Sequence, residues 1–237
     1  MNGMIQFIFW ISSLHSTSLM RFPDQSNYDS SLAIKNANKT ANTGLSHRFE
    51  CFYSADSRAV YSITLCADLP DNTDPTRVNL GKEPGHVFII LSKTDSISGG
   101  SINQVFGFYP RRPASSLIFK RVHGVIFDNQ CREYNASVYK KLTANEFQII
   151  LERSVMLAKK KYNLNKYNCY DYAIEVFNSV PGIEKLPVTH VKFPFILGHG
   201  GSPCGLYKDL MQLKENASAW APYIRFGLFE SPQSCSN

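Results

Sequence analysis

The stretch from Asn165 to Phe177 places a cysteine where chemistry is available to it. Asparagine is a strong helix N-cap, because its side-chain oxygen accepts from backbone N–H groups of the next turn; with Asn168 in that place, Cys169 becomes the first helical residue. Unpaired first-turn N–H groups and the positive end of the helix macrodipole favour an anion there, which predicts a lowered thiol pKa and a reactive thiolate. The same N–H groups can receive the oxyanion of a tetrahedral intermediate. A cysteine simply buried among Tyr170, Tyr172 and Ala173 is the structural alternative, and this fragment alone does not separate the two.

A nucleophilic thiol needs a base, and six histidines are available: His15, His47, His86, His123, His190 and His199. His86 stands apart. Pro84 and Gly85 precede it, and Val87 to Leu91 form an apolar run after it, so it occupies the first position of a strand buried on both faces. At the rim of a sheet an imidazole is held by a rigid backbone while staying near solvent. A third polar group normally orients such an imidazole. If the next strand, Ile102 to Tyr109, pairs with this one through a turn near residues 96–98, then His86 lies opposite residues 106–110. Tyr109 is the one polar side chain there, whereas Asn103 and Gln104 fall nearer the turn.

The elements that must position these groups are legible as pattern. Residues 47–53 and 60–67 carry the aromatic and β-branched enrichment of strands, and Leu69 to Pro75 is loop-forming. Residues 86–91 and 102–109, joined through Gly99 and Gly100, read as an antiparallel hairpin, and residues 116–127 supply one or two further strands. Thr143 and Glu146 form a capping box, and Phe147, Ile150, Leu151, Val155 and Ala158 recur at helical spacing, predicting a helix over 144–161. A second helix begins at Asn168 and stops at Pro181 and Gly182. Ser202 and Pro203 open a third, and Tyr223 to Phe229 returns to a strand. Strands followed by helices, without βαβ alternation, predict an α+β fold with an antiparallel sheet packed against helices. Residues 1–46 read as an N-terminal arm, with a degenerate export signal near residues 4–14 and an Asn- and Ser-rich linker; residues 47–237 form the folded domain.

The chain has 237 residues, 25 Lys+Arg against 19 Asp+Glu, and 43% hydrophobic residues, which excludes wholesale disorder. The 16 Phe and 12 Tyr favour a strand-rich core. No apolar run reaches the ~20 residues of a membrane-spanning helix. The positive charges are dispersed, without a basic stripe interleaved with aromatics, so nucleic acid is not the expected partner. The six cysteines contain no C-x-x-C pair, against a zinc ribbon or thioredoxin-type motif. Cys51 and Cys66, on neighbouring predicted strands, are placed to pair. His199 and Cys204, in a glycine-rich turn, match no familiar metal-ligand spacing, and no metal or cofactor is expected.

Taken together, Gly85 and His86 opening an apolar strand, a hairpin partner, and a helix beginning Asn168-Cys169 resemble the permuted papain-like superfamily of NlpC-like cysteine peptidases and the lecithin retinol acyltransferase group. In ordinary members cysteine precedes histidine; here His86 precedes Cys169, as in the circularly permuted branch. The Asn-Cys-x-[Asp/His]-[Tyr/Phe] signature is met by Asn168, Cys169, Asp171 and Tyr172, and the Gly107 to Pro110 segment resembles a set of uncharacterised bacterial proteins of this type. The resemblance spans about residues 59–212. It implies Cys169 as nucleophile, His86 as base, Tyr109 as the candidate third residue and Asn168 in positioning or oxyanion binding. The activity it implies is that of an amidase or peptidase cleaving peptide bonds of bacterial cell wall, in the setting of a secreted effector. Its alternatives are a lipid acyltransferase or phospholipase using the same pair, and a non-catalytic binding protein. The compartment stays open between secreted or periplasmic and cytoplasmic.

Overall fold

The computed structural model describes residues 44–53, 58–78, 84–112, 121–180, 184–194 and 198–235. Nine strands are present among them: β1 (Ala59–Asp68), β2 (His86–Asp95), β3 (Ser101–Pro110), β4 (Val122–Asp128), β5 (Glu133–Leu142), β6 (Lys161–Tyr162), β7 (His190–Lys192), β8 (His199–Gly201) and β9 (Ile224–Glu230). Four helices accompany them: α1 (Gly44–Arg48), α2 (Ala144–Leu157), α3 (Cys169–Phe177) and α4 (Pro203–Glu215). Seven strands form one sheet in the order β6-β4-β3-β2-β1-β5-β9, antiparallel at every pairing. β7 and β8 form a separate hairpin. The architecture is α+β, a large antiparallel sheet packed against helices.

The two faces of the sheet differ. Alternate residues of the central strands, among them Ile63, Leu65, Val87, Ile89, Leu91, Phe106 and Phe108, join the helices in the main core. Tyr172 of α3 stacks on Phe108 at 5.1 Å between ring centroids and meets Phe106 edge-on at 6.5 Å. The period of two sends the intervening residues, Cys66, Phe88, Ile90 and Val105, to a smaller cluster on the other face, with Tyr134 against it.

Several expectations need correction. Residues 47–53 are not a strand: α1 and a 3-10 turn over Glu50–Phe52 occupy them. Leu45, Phe49 and Phe52 recur at intervals of four and three, and all three are buried, Phe52 edge-on to Phe147 at 5.1 Å. Helical period outweighed aromatic composition. The α2 helix starts at the predicted capping box but stops at Leu157, because the chain returns to the sheet as β6, where Tyr162 packs on Phe108 at 5.6 Å. Cys51 pairs with Cys235, not Cys66. Cys51 packs against the helix-side core, whereas Cys66 points into the opposite cluster.

Strand β5 and the β7–β8 hairpin carried no recognised signal. The α4 helix runs for 13 residues, with Ser202 as N-cap and Pro203 in the first turn as predicted. Residues 1–43, which hold the expected export signal and most of the arm, lie outside the described residues, as do residues 113–120 and the predicted helix stop at Pro181 and Gly182. Residues 44–46 belong to α1.

Candidate functional site

The start of α3 is built by Asn168. Its Oδ1 accepts from Tyr170 N at 2.8 Å and Asp171 N at 3.4 Å, and Asp171 Oδ2 accepts in return from Asn168 N at 2.9 Å. The side-chain amide also donates to Leu164 O at 2.9 Å and Gly201 O at 2.8 Å. Both amide hydrogens are thereby committed to carbonyls, so this buried side chain ties the helix start to β8 and has no donor left for an oxyanion. Gly201 permits the close approach, since a Cβ there would run into the Tyr170 ring.

Cys169 is half-buried in the first turn of α3. The backbone N–H of Val87, the residue after His86, bears on its thiol and favours the thiolate. Strand N–H groups lie in the plane of a sheet. The α3 start, packed on the helix side of the sheet, thus brings the sulfur to the beginning of β2. Desolvation is the largest influence on the thiol and pushes it up to about 11 from an ordinary 9.0, outweighing the Val87 and Tyr170 N–H groups and the Arg132 charge, which act downwards. The expected lowering by the helix start does not occur: loss of water costs the thiolate more than the N–H groups return.

His86 opens β2 as predicted, after Gly85 at φ +70°. Its imidazole lies on the face away from the helices, 6.2 Å from the Phe88 ring and stacked on the Tyr109 ring at 4.1 Å between centroids. Cys169 and His86 thus reach one strand end from opposite faces of the sheet. Burial first, and the Arg132 charge second, hold the imidazole well below its usual range, so it is neutral at neutral pH.

The pairing of Phe88 with Gly107, continued along the strands, sets Tyr109 opposite His86. Tyr109 meets His86 through its ring, while its hydroxyl accepts from Asn129 Nδ2 at 2.5 Å. Asn103 and Gln104 lie opposite Ser92 and Leu91, far along the strand.

The residue that faces His86 Nε2 is Asn129, just beyond β4. Its Oδ1 and His86 Nε2 crowd the same space over Gly107, where a Cβ would collide with both. Both atoms are buried and, among the described residues, without a hydrogen-bond partner. Two complementary orphaned polar atoms in one place are unusual, since buried polar groups are nearly always paired. The sequence signal for this meeting was Gly107 itself, a small residue in the bulky run Val105 to Tyr109.

Arg132 completes the cluster. Its Nε and Nη2 donate to Asp68 Oδ2 at 2.9 and 2.5 Å, and Asp68 is the β1 partner of His86. The guanidinium bears electrostatically on Cys169, His86 and Tyr109 alike. Nothing in its local sequence marked it. His199 and Cys204 do not come together as ligands: His199 is exposed on β8, and Cys204 is buried with its Sγ directed to Arg77 O at 3.5 Å. Among the described residues no group of three His, Cys, Asp or Glu side chains could hold a metal, and no helix is long and apolar enough to cross a membrane. No family model matches the chain, and no match was found among curated proteins or solved structures.

Proposed function

We propose that the protein is a cysteine-dependent hydrolase of amide bonds, with Cys169 as nucleophile, His86 as general base and Asn129 orienting the imidazole. The observation that carries the reading is the convergence at one strand end of a thiol on which the Val87 N–H bears and a neutral imidazole facing the Asn129 amide oxygen. With the thiol raised and the imidazole neutral, the resting pair is uncharged. Attack on a carbonyl carbon then requires the Sγ proton to pass to His86 around the open end of β2, directly or through one water, as the S–C bond forms; His86 returns it to the leaving amine, and water cleaves the thioester. The backbone N–H of Val87, which bears on the sulfur, is the oxyanion donor of this proposal. Tyr109 acts as a stacking wall for the imidazole, and Asn168 as the anchor of the helix start.

The substrate class in this proposal is a peptide, with bacterial cell wall as its setting, an extension that rests on the resemblance in the sequence. The charged neighbours of Cys169, Arg132 and Asp171, favour a peptide over a lipid acyl chain. The Cys51–Cys235 disulfide suits an oxidising, secreted or periplasmic location.

The test is acylation by p-nitrophenyl acetate, with the acetyl group located by mass spectrometry. Cys169 should acylate faster than a free model thiol, and His86→Ala should slow it by about 100-fold, the lower end of general-base contributions. Acylation of Cys169 at or below the rate of the model thiol would remove the hydrolase reading.

A further inference from the structure

The loop between β4 and β5 that carries Asn129 is held from behind by the segment that follows β9. Ser231 is buried, and its hydroxyl works in both directions: it donates to Asn129 O at 2.6 Å and accepts from Arg132 N at 2.9 Å. The Ser231 N–H donates to Arg132 O at 2.9 Å, and the Ser231 carbonyl accepts from Cys131 N at 3.2 Å. Further along, Ser234 N donates to Gln130 Oε1 at 3.2 Å, and Ser234 Oγ donates to Asp128 Oδ1 at 2.8 Å while accepting from Val105 N at 3.0 Å. Cys235 N donates to Asn103 O at 2.7 Å. Since β4 pairs with β3 only from Phe106 onwards, this segment occupies the part of the β3 edge that β4 leaves open. Residues 231–235 contribute no side chain to the hydrophobic core clusters. Their hold therefore rests on hydrogen bonds and on one covalent bond, the disulfide from Cys235 to Cys51.

Resting on the hydrolase reading, we infer that Ser231 to Cys235 is a strap that positions Asn129 against His86, with the Cys51–Cys235 disulfide as its catch, so that the site is set only in the oxidised protein. A dithiol reductant opens the catch: two electrons and two protons convert the bond into the Cys51 and Cys235 thiols, and the dithiol closes to a cyclic disulfide. The strap then keeps only hydrogen bonds, which water can replace at little net cost. Asn129 follows, because the Ser231 hydroxyl is the partner of its carbonyl, and the imidazole loses the amide oxygen that faces it. Ser231 acts through Asn129 and is a positioning residue. The consequence is an enzyme idle in a reducing compartment and complete in an oxidising one.

The double variant Cys51→Ser/Cys235→Ser opens the catch without a reductant. Hydrogen exchange read by NMR should show the Cys131 and Arg132 amides losing protection by about tenfold, while the β1 and β2 amides keep theirs. Acylation of Cys169 by p-nitrophenyl acetate should fall by about tenfold, the order expected of a displaced catalytic group. Alkylation of Cys169 by iodoacetamide, which needs no oriented imidazole, should keep its rate. Wild type reduced with dithiothreitol and desalted should match the double variant. Ser231→Ala, with the disulfide intact, should expose the Arg132 amide and give the same split between acylation and alkylation. Unchanged protection at Arg132 in either variant, protection lost across β1 and β2 as well, or acylation and alkylation falling together would overturn the strap; so would reduced protein that acylates at the oxidised rate. Failure of the hydrolase reading looks different: oxidised wild type does not acylate, and the exchange data then decide the strap alone, upheld by loss confined to the loop and overturned by unchanged protection.

Discussion

Cys169 and Cys204 make an internal comparison. Each lies in the first turn of a helix, α3 or α4, behind a side-chain N-cap, and burial pushes each thiol up to about 11. By helix position and by acidity they are equivalent. Their surroundings are not. The Cys204 sulfur contacts the Arg77 carbonyl, and the charge bearing on it is the carboxylate of Asp74. On the Cys169 sulfur bear a backbone N–H from the start of β2 and a guanidinium charge, at the strand end that carries His86. A helix N-terminus therefore does not by itself single out a nucleophile. What distinguishes the two thiols is the sheet end against which one of them is set.

The caps probe that difference first. Asn168 satisfies two N–H groups and two carbonyls, whereas Ser202 Oγ accepts from Gly205 N alone at 3.0 Å. Ser202→Ala should cost about 1 kcal/mol, the usual worth of an N-cap. Asn168→Ala also strands buried partners and should cost about 3 kcal/mol. Urea denaturation of the two variants measures both; equal costs would show that the α3 start is no more specialised than the α4 start.

Gly107 probes the sheet end itself. A methyl group there meets His86 Nε2 and Asn129 Oδ1, whereas the Cys204 sulfur has its contact at Arg77 O. Gly107→Ala should cost about 2 kcal/mol, in the range of overpacking. It should also suppress acylation of Cys169 while leaving Cys169 alkylation by iodoacetamide in place, making this thiol behave as Cys204 does. Retained acylation would show that the His86–Asn129 meeting is not used.

The helix start at Asn168 and the strand start at His86 were legible because each depends on local chemistry: a capping side chain, and a glycine before an apolar run. The hairpin register was legible too, since a short turn fixes which residues face each other, and it placed Tyr109 opposite His86. Asn129 and Arg132 were not legible. They reach the site from beyond β4 and ahead of β5, and β5 was itself invisible because its run holds Asn135, Lys140 and Lys141 among few apolar residues. The direction of the thiol shift was missed for a related reason: the helix start is a sequence feature, but burial is a property of the assembled fold. The same limit applied to Cys51, whose partner lies 184 residues away.

A gradual effect, spread over the acid range, is a pH dependence that only the Cys169 end should show. His86 is buried neutral, with its folded pKa well below 6.5. Above pH 6.5 neither folded nor unfolded protein carries this proton. As pH falls below 6.5 the unfolded chain binds a proton that the folded chain refuses, so the unfolded state binds more protons and stability drops. The limiting slope from one group is about 1.4 kcal/mol per pH unit. It continues until the pH reaches the folded pKa. In His86→Gln, which keeps a polar side chain without titrating, this part of the acid slope should vanish, and the difference between wild type and variant should grow steadily from pH 6.5 downwards. Denaturation series at pH 7, 6 and 5 read it. Parallel stability curves over that range would mean that His86 is hydrated or ion-paired in solution, and the uncharged resting pair of the proposed mechanism would have to be abandoned in favour of a charged one.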